Sequence, residues 1–311
     1  VKTMRCLLFL LVASLLQFSS SCAQPRVVNP RSVSSPRVDS IGSATPRLTF
    51  LVFGDWGTGG KGQKQVADGM SDVRRRLGAD LALGTGDNFY NSGVESVTDP
   101  QWERKFERMY DSARFPIRFA MTLGNHDYGK NPDAQVAYTQ RSTRWFMPSR
   151  YYTFSLVLSD STVVQFFALD TQNLVRGSSS IRGKQLAWLD SALAASVARW
   201  KIVFGHHPPF SNGAHGNNKR LIKELVPILE KHGVTALFSG HDHDLQALRP
   251  VNGVRYFVSG GGAGARSVAW KNNTLFAATN LGFAWCRVTG SSFEVAFFDR
   301  HGTLLWSKKI F

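Results

Sequence analysis

One pattern, met five times, constrains this chain more than any other: an apolar run that reads as a buried β-strand, with a glycine and metal-ligand side chains at its end. The clusters are Gly-Asp-Trp-Gly at 54–57, Gly-Asp-Asn-Phe-Tyr at 86–90, Gly-Asn-His-Asp at 124–127, Val-Phe-Gly-His at 203–206 and Gly-His-Asp-His at 240–243. The runs they follow are Leu48–Phe53, Leu81–Leu83, Ile117–Leu123, Lys201–Phe204 and Thr235–Phe238. Open α/β sheets place their ligands outside the carboxyl ends of strands. Taken singly, Gly-Asp-Trp-Gly is a turn and Asn-His after a strand is a cap. Carboxylates, imidazoles, an amide and a phenol in that serial order predict one binuclear metal site.

The rest of the pattern supports an α/β fold. Helices are expected at Gln63–Leu77, near Gln101–Tyr110, at Lys184–Ser196 and at Lys219–His232. Tyr151–Leu158 and Thr162–Leu169 pair as a hairpin around Ser159–Ser161. After the last cluster come strand-like runs at Leu245–Leu248, Val254–Val258, Gly282–Val288, Ser292–Phe298 and Thr303–Lys308, with turns at Asn252-Gly253, Gly290 and Gly302. Two mixed sheets packed face to face with helices outside accommodate this order. Asp170 is expected to organise a loop, and the glycines of 260–264 to form a loop passing near the site.

The amino-terminal segment differs in character. Lys2 and Arg5 precede the apolar run Cys6–Leu16, and Gln17–Cys22 turns polar before Ala23. That is the pattern of a secretory signal peptide over 1–23, too short to span a bilayer, so no transmembrane anchor is expected. Residues 24–46, rich in Pro, Arg and Ser, read as a disordered leader, which leaves 47–311 as the catalytic domain. Cleavage after Ala23 retains Cys286 alone of the three cysteines, so the exported domain rests on packing without a disulfide. Asn272-Asn273-Thr274 is a glycosylation acceptor triplet. A secreted or vacuolar-lysosomal location follows from this reading. The net charge of +15 comes from dispersed residues, with tight clusters only at Arg74–Arg76 and Lys308–Lys309. No aromatic-interleaved basic groove accompanies it, so no dedicated nucleic-acid partner is expected, and the field suits anionic substrates or an acidic wall or glycan.

The ligand types suggest phosphoryl chemistry. Hydrolysis of a phosphate ester needs a nucleophile at mild pH, charge on the phosphoryl oxygens and a proton for the leaving group. Two metal ions about 3.5–4 Å apart supply the first two. Their mutual repulsion calls for an anionic bridge, and Asp87 is the candidate. Asp55 and His243 are candidate ligands of the first ion, and Tyr90, three residues beyond Asp87, reaches it from the same loop. A phenol ligand favours a hard, strongly acidifying ion such as Fe(III). Asn125, His206 and His241 form a neutral set suited to a divalent ion.

These five clusters, with Tyr90 in the second, resemble the purple acid phosphatases within the calcineurin-like metallophosphoesterases. The likeness runs from Arg47 to Phe311 and is nearest to the small, tartrate-resistant type. The resemblance implies a four-layer α/β/β/α sandwich and acid phosphatase activity on phosphate monoesters through a metal-bound hydroxide. It also implies Fe(III) beside a divalent iron, zinc or manganese, with a tyrosinate that gives the purple colour. Asp55, Asp87, Tyr90 and His243 would then hold Fe(III), and Asp87, Asn125, His206 and His241 the divalent ion. The family's histidines that orient phosphate and assist the leaving group map onto His126 and His215, which are charged at acidic pH. Two departures are visible: Ala214 stands where animal members carry an acidic residue, and Leu174–Gly183 is shorter than their protease-cut loop. The alternatives are a phosphodiesterase or nucleotidase with a non-ferric pair and, in another class, a non-catalytic wall- or glycan-binding protein.

Overall fold

The structure, a computed structural model, describes residues 38–40 and 46–311. The expected signal peptide and most of the expected leader lie outside the described residues. Among these, strands form two mixed sheets. The seven-stranded sheet runs, edge to edge, β15 (Leu304–Lys309), β14 (Phe293–Asp299), β13 (Gly282–Thr289), β2 (Arg47–Phe53), β3 (Leu81–Gly84), β4 (Arg118–Met121) and β5 (Trp145–Phe146). The eight-stranded sheet runs β1 (Val38–Ser40), β6 (Tyr152–Val157), β7 (Val163–Ala168), β8 (Trp200–Phe204), β9 (Ala236–Ser239), β11 (Arg255–Ser259), β10 (Leu245–Leu248) and β12 (Thr274–Ala278). β2 to β5 are mutually parallel, as are β7, β8, β9 and β11.

Side-chain alternation along the strands builds the layers. Phe50 points between the sheets, its ring 5.5 Å from Phe166 of β7 and 6.3 Å from Phe238 of β9. Its neighbours point outward: Phe53 meets Trp56 at 5.7 Å and Tyr110 at 5.4 Å under the helical stretch around 101–107. The eight-stranded sheet alternates likewise. Phe166, Phe204 and Phe238 join the inter-sheet core, whereas Phe167, Val203 and Leu237 pack outward in a cluster with Leu174, Leu189, Leu193, Leu221 and Leu229. Those leucines belong to α3 (Thr171–Arg176), α4 (Ser179–Ala194), α5 (Lys219–Glu224) and α6 (Val226–Lys231). α1 (Lys61–Leu77) buries Val66, Ala67, Met70 and Val73, one face of a 3.6-residue period, and α2 (Pro132–Tyr138) lies between β4 and β5 in the chain. The result is the α/β/β/α sandwich.

Several boundaries differ from the sequence reading, each for a local reason. α4 begins at Ser179 because the Ser178 hydroxyl accepts from the Ile181 N–H. The helix expected over Lys219–His232 breaks at Leu225, where Pro227 can donate no N–H. α3 was not expected; Asp170 caps it, accepting from the Asn173 N–H at 3.1 Å. The short strands β5 and β12 were not expected either. Within the segment read as a disordered leader, the backbone of Val38–Ser40 pairs parallel with β6, taking up its open edge.

The ring of Phe50 links both sheets. Phe50→Ala is expected to lower the unfolding free energy by about 3–5 kcal/mol, measured as a lower urea midpoint at unchanged slope. A loss below about 1 kcal/mol would show that the sheets do not depend on this contact.

Candidate metal centre

The ends of five parallel strands meet at one edge of the sandwich, and both sheets contribute donors. Asp55 follows β2, Asp87 and Tyr90 follow β3, and Asn125 and His126 follow β4; His206 follows β8, and His241 and His243 follow β9. The chain turns sharply to aim these side chains. Asp55, Asp87 and His241 adopt left-handed backbone, with φ of 59°, 51° and 71°. Non-glycine residues rarely do so, at about 1–3 kcal/mol each, and such strain gathers at functional sites. Two glycines let backbone approach the carboxylates. A Cβ on Gly124 would lie 2.1 Å from Asp87 Oδ1, and one on Gly240 would lie 2.4 Å from Asp55 Oδ2.

All seven predicted ligand residues come together. The Tyr90 hydroxyl lies 3.1 Å from Asp55 Oδ1, 3.0 Å from Asp87 Oδ2 and 3.1 Å from His243 Nε2. His206 Nε2 lies 3.0 Å from Asn125 Oδ1, 3.1 Å from His241 Nδ1 and 3.4 Å from Asp87 Oδ2. One atom, Asp87 Oδ2, therefore belongs to both groups.

Proton counting shows what this arrangement suits. His206 Nδ1 faces the Thr85 carbonyl at 2.9 Å, which can only accept, so a neutral His206 carries its proton there. Its Nε2 lone pair then points at an amide oxygen and a carboxylate. The Tyr90 hydroxyl has one hydrogen for two carboxylate oxygens, with His243 Nε2 also in reach. Converging lone pairs with too few protons fit a cation in each group. Carboxylates with phenol in one, and imidazoles with an amide in the other, are donor sets for a hard and a borderline ion respectively.

The electrostatics agree. Burial, then the charges of Asp55 and Asp87, hold the Tyr90 phenol well above its usual range. Burial drives the Asp55 carboxyl well above the usual carboxylate range, although His206 opposes it. Burial, then the neighbouring histidines, hold His241 well below the imidazole range, and burial with Arg266 lowers His243. The carboxyl and the phenol thus resist ionisation on their own, and a bound cation reverses that logic.

The two predicted catalytic histidines lie against different members of the ligand set. His126 packs its ring 4.6 Å from that of Tyr90, donates its backbone N–H to Asp87 Oδ1 at 2.9 Å, and directs Nδ1 at the Asn91 carbonyl at 2.6 Å. His215 stacks on His241 at 4.0 Å. Buried Asp242 accepts both the backbone N–H and Nδ1 of His215, each at 2.8 Å, while Ser211 donates to its other oxygen. A carboxylate therefore reaches His215 from another strand end, where Ala214 beside it has none. Asp244 binds Gln246 instead. A cavity of about 360 Å³ opens by Tyr90, His126 and His243, walled in part by Ala263, Gly264 and Arg266 of the glycine-rich loop. A second, of about 470 Å³, opens by Asn125, His215 and His241.

Sequence reasoning missed the supports. Asp127 is fully buried and accepts N–H groups from Asn88, Phe89, Gly124 and Gln135, tying the β3 and β4 loops together. Burial, then Asp87, pushes its carboxyl up to about 7. The Thr171 hydroxyl accepts the backbone N–H of both His206 and His207. Lys105 donates to the Tyr90 carbonyl at 2.5 Å. No motif flags these, because each acts across long sequence separation and mostly through backbone.

Comparisons with known proteins agree with this geometry. The calcineurin-like phosphoesterase family model matches residues 48–245. Tartrate-resistant acid phosphatase type 5 of Sus scrofa is 33% identical over 320 residues, covering 92% of this chain and 93% of its own. Purple acid phosphatase 17 of Arabidopsis thaliana is 32% identical over 286 residues, 83% of this chain and 82% of its own. Among solved structures, GAP50, described as the anchor in the inner membrane complex of Plasmodium, superposes with a TM-score of 0.79 at 24% identity, covering 85% of this chain and 89% of its own. The purple acid phosphatase PPD1 of yellow lupin gives 0.67 at 16%, covering 85% and 54%. Those two show the fold alone; the sequence matches carry the assignment. Strand-end clusters, shared carboxylate and relatives together lead to one conclusion: the chain belongs to the calcineurin-like phosphoesterases, among the purple and tartrate-resistant acid phosphatases, and is a metal-dependent phosphoesterase.

Proposed function

We propose that this protein hydrolyses phosphate monoesters at acidic pH, with Fe(III) in the Asp55, Asp87, Tyr90 and His243 set. Divalent iron, zinc or manganese occupies the Asp87, Asn125, His206 and His241 set. The observation that carries this reading is the position of Asp87 Oδ2, 3.0 Å from the Tyr90 hydroxyl and 3.4 Å from His206 Nε2. When bound, such a pair supplies an acidified water and positive charge for the phosphoryl oxygens. The composition of residues 1–23 supports export, and among the described residues no helix is long and apolar enough to cross a membrane.

The chain's own groups do the rest. Asp87 would offset the repulsion between two bound cations and keep them paired. His126 and His215 flank the reacting phosphate. Asp242 fixes the Nδ1 proton of His215, which leaves Nε2 to hydrogen-bond a phosphoryl oxygen or to hand a proton to the departing alcohol. Gly124 and Gly240 keep backbone against the two carboxylates, so neither can swing away.

Turnover of an aryl phosphate by the purified, metal-replete protein tests the activity. Asp87→Ala is expected to lose the paired centre, with turnover down about 10³-fold or more. Full turnover in that variant would contradict the two-metal reading. Asp242→Asn is expected to lower kcat about 10- to 100-fold. The same change made in a His215→Ala background should add little, because both act through one proton. Additive losses would show that Asp242 does not work through His215.

A further inference from the structure

The larger cavity, of about 470 Å³, is the size that encloses a small organic ligand. It begins at Asn125 and His241 and extends past His207 and His215 to Gln172, Arg176, Asn217 and Asn218. Several of its wall groups offer hydrogen-bond donors. The Asn217 side-chain oxygen accepts from the Ser211 N–H at 3.0 Å, and that of Asn218 accepts from the Leu221 N–H at 3.1 Å. Each amide therefore has its NH₂ group left over. The Thr171 hydroxyl already accepts two backbone N–H groups, so its hydrogen goes to His207 Nδ1 at 3.0 Å. That leaves His207 Nε2 as a further donor. No Asp or Glu lines the cavity.

Arg176 is the one arginine or lysine among the lining residues. Among the described residues its guanidinium makes no hydrogen bond or ion pair. It ends α3, where a cation is favoured by the unpaired carbonyls, so its presence alone would mark only a solvated helix end. The amides and imidazole turned donor-first beside it are independent of that preference. Together they describe a surface suited to an anion that starts beside the metal ligands, where His207 groups with His206 and His241, and runs outward to Arg176.

We infer that this cavity receives the leaving group, and that Arg176 selects phosphate monoesters whose leaving group carries a second anion, a carboxylate or a phosphoryl group. The inference rests on the monoesterase reading of the adjacent site. α3 places the residue. The chain passes from α3 to α4 through Gly177 and Ser178 alone, so no inserted loop lies between these helices. Arg176 is a specificity-determining residue, with no part in the chemical step.

The test compares kcat/KM for phenyl phosphate with that for its 4-carboxy and 4-phosphonomethyl analogues, using the full metal-replete protein. Calorimetric binding of phenylphosphonate and 4-carboxyphenylphosphonate provides a readout independent of turnover. The wild type is expected to favour each anion-bearing ester by about fivefold, mainly through KM. Arg176→Ala should bring the ratio close to one, Arg176→Lys should keep part of it, and Arg176→Glu should invert it. The phosphonate affinities should follow the same order. A preference for only one of the two anions would identify which group the cavity accepts and would support the inference. Equal use of all three esters by the wild type, or a ratio untouched in Arg176→Ala, would overturn it and leave the monoesterase reading standing. No turnover of any ester and no phosphonate binding would overturn both.

Discussion

The centre depends on one carboxylate held in one place. Asp87 Oδ1 accepts the His126 backbone N–H at 2.9 Å, which leaves Oδ2 facing both donor groups. The backbone that carries it is left-handed, and Gly124 packs where a side chain would displace it. Two cations a few ångströms apart repel each other strongly, and an anionic oxygen between them is the simplest remedy. Each sheet alone has only part of the donor set. The packing that brings them together is the inter-sheet aromatic core around Phe50, so stability and chemistry share a cause.

The division between sheets also sorts the donors. The seven-stranded sheet delivers the anionic oxygens and the amide, and the eight-stranded sheet delivers the imidazoles. Three imidazoles are thus crowded at one strand edge, and burial with mutual repulsion holds His241 far from its charged form. Neutral imidazole is the state that binds metal, so the arrangement that looks unfavourable for a protonated histidine favours a ligand. On the basic side of the ledger, part of the surface charge is matched locally, as where Asp72 pairs with both Arg75 and Arg76 on α1.

Much of this site was legible in the sequence, and the reason is physical. A ligand at a strand end must follow a buried apolar run and usually needs a glycine for close approach, so Asp55, Asp87, Asn125 and the GHDH histidines carry their own context. Asp170 was legible as the organiser of a loop, but the helix it caps was not. The supports were not. Thr85 orients His206 through a carbonyl, and Thr171 braces two histidines from 35 residues away or more. Asp127 binds three backbone N–H groups that no side-chain pattern reveals. Asp242 sat visibly between two ligand histidines, but its partner is His215, on a different loop. The break in the helix at Pro227 could have been seen; the short strand β12 could not, because its sheet pairing supplies what its sequence lacks.

The decisive measurement for the metal centre is the visible absorption spectrum of the purified protein, with metal content on the same sample, for wild type and Tyr90→Phe. Fe(III) at the Tyr90 set would make the wild type purple or pink, with about two metal ions per chain including iron, and would leave the variant bleached but still binding metal. A colourless wild type holding two divalent ions would contradict the assignment of Fe(III) to the Tyr90 set.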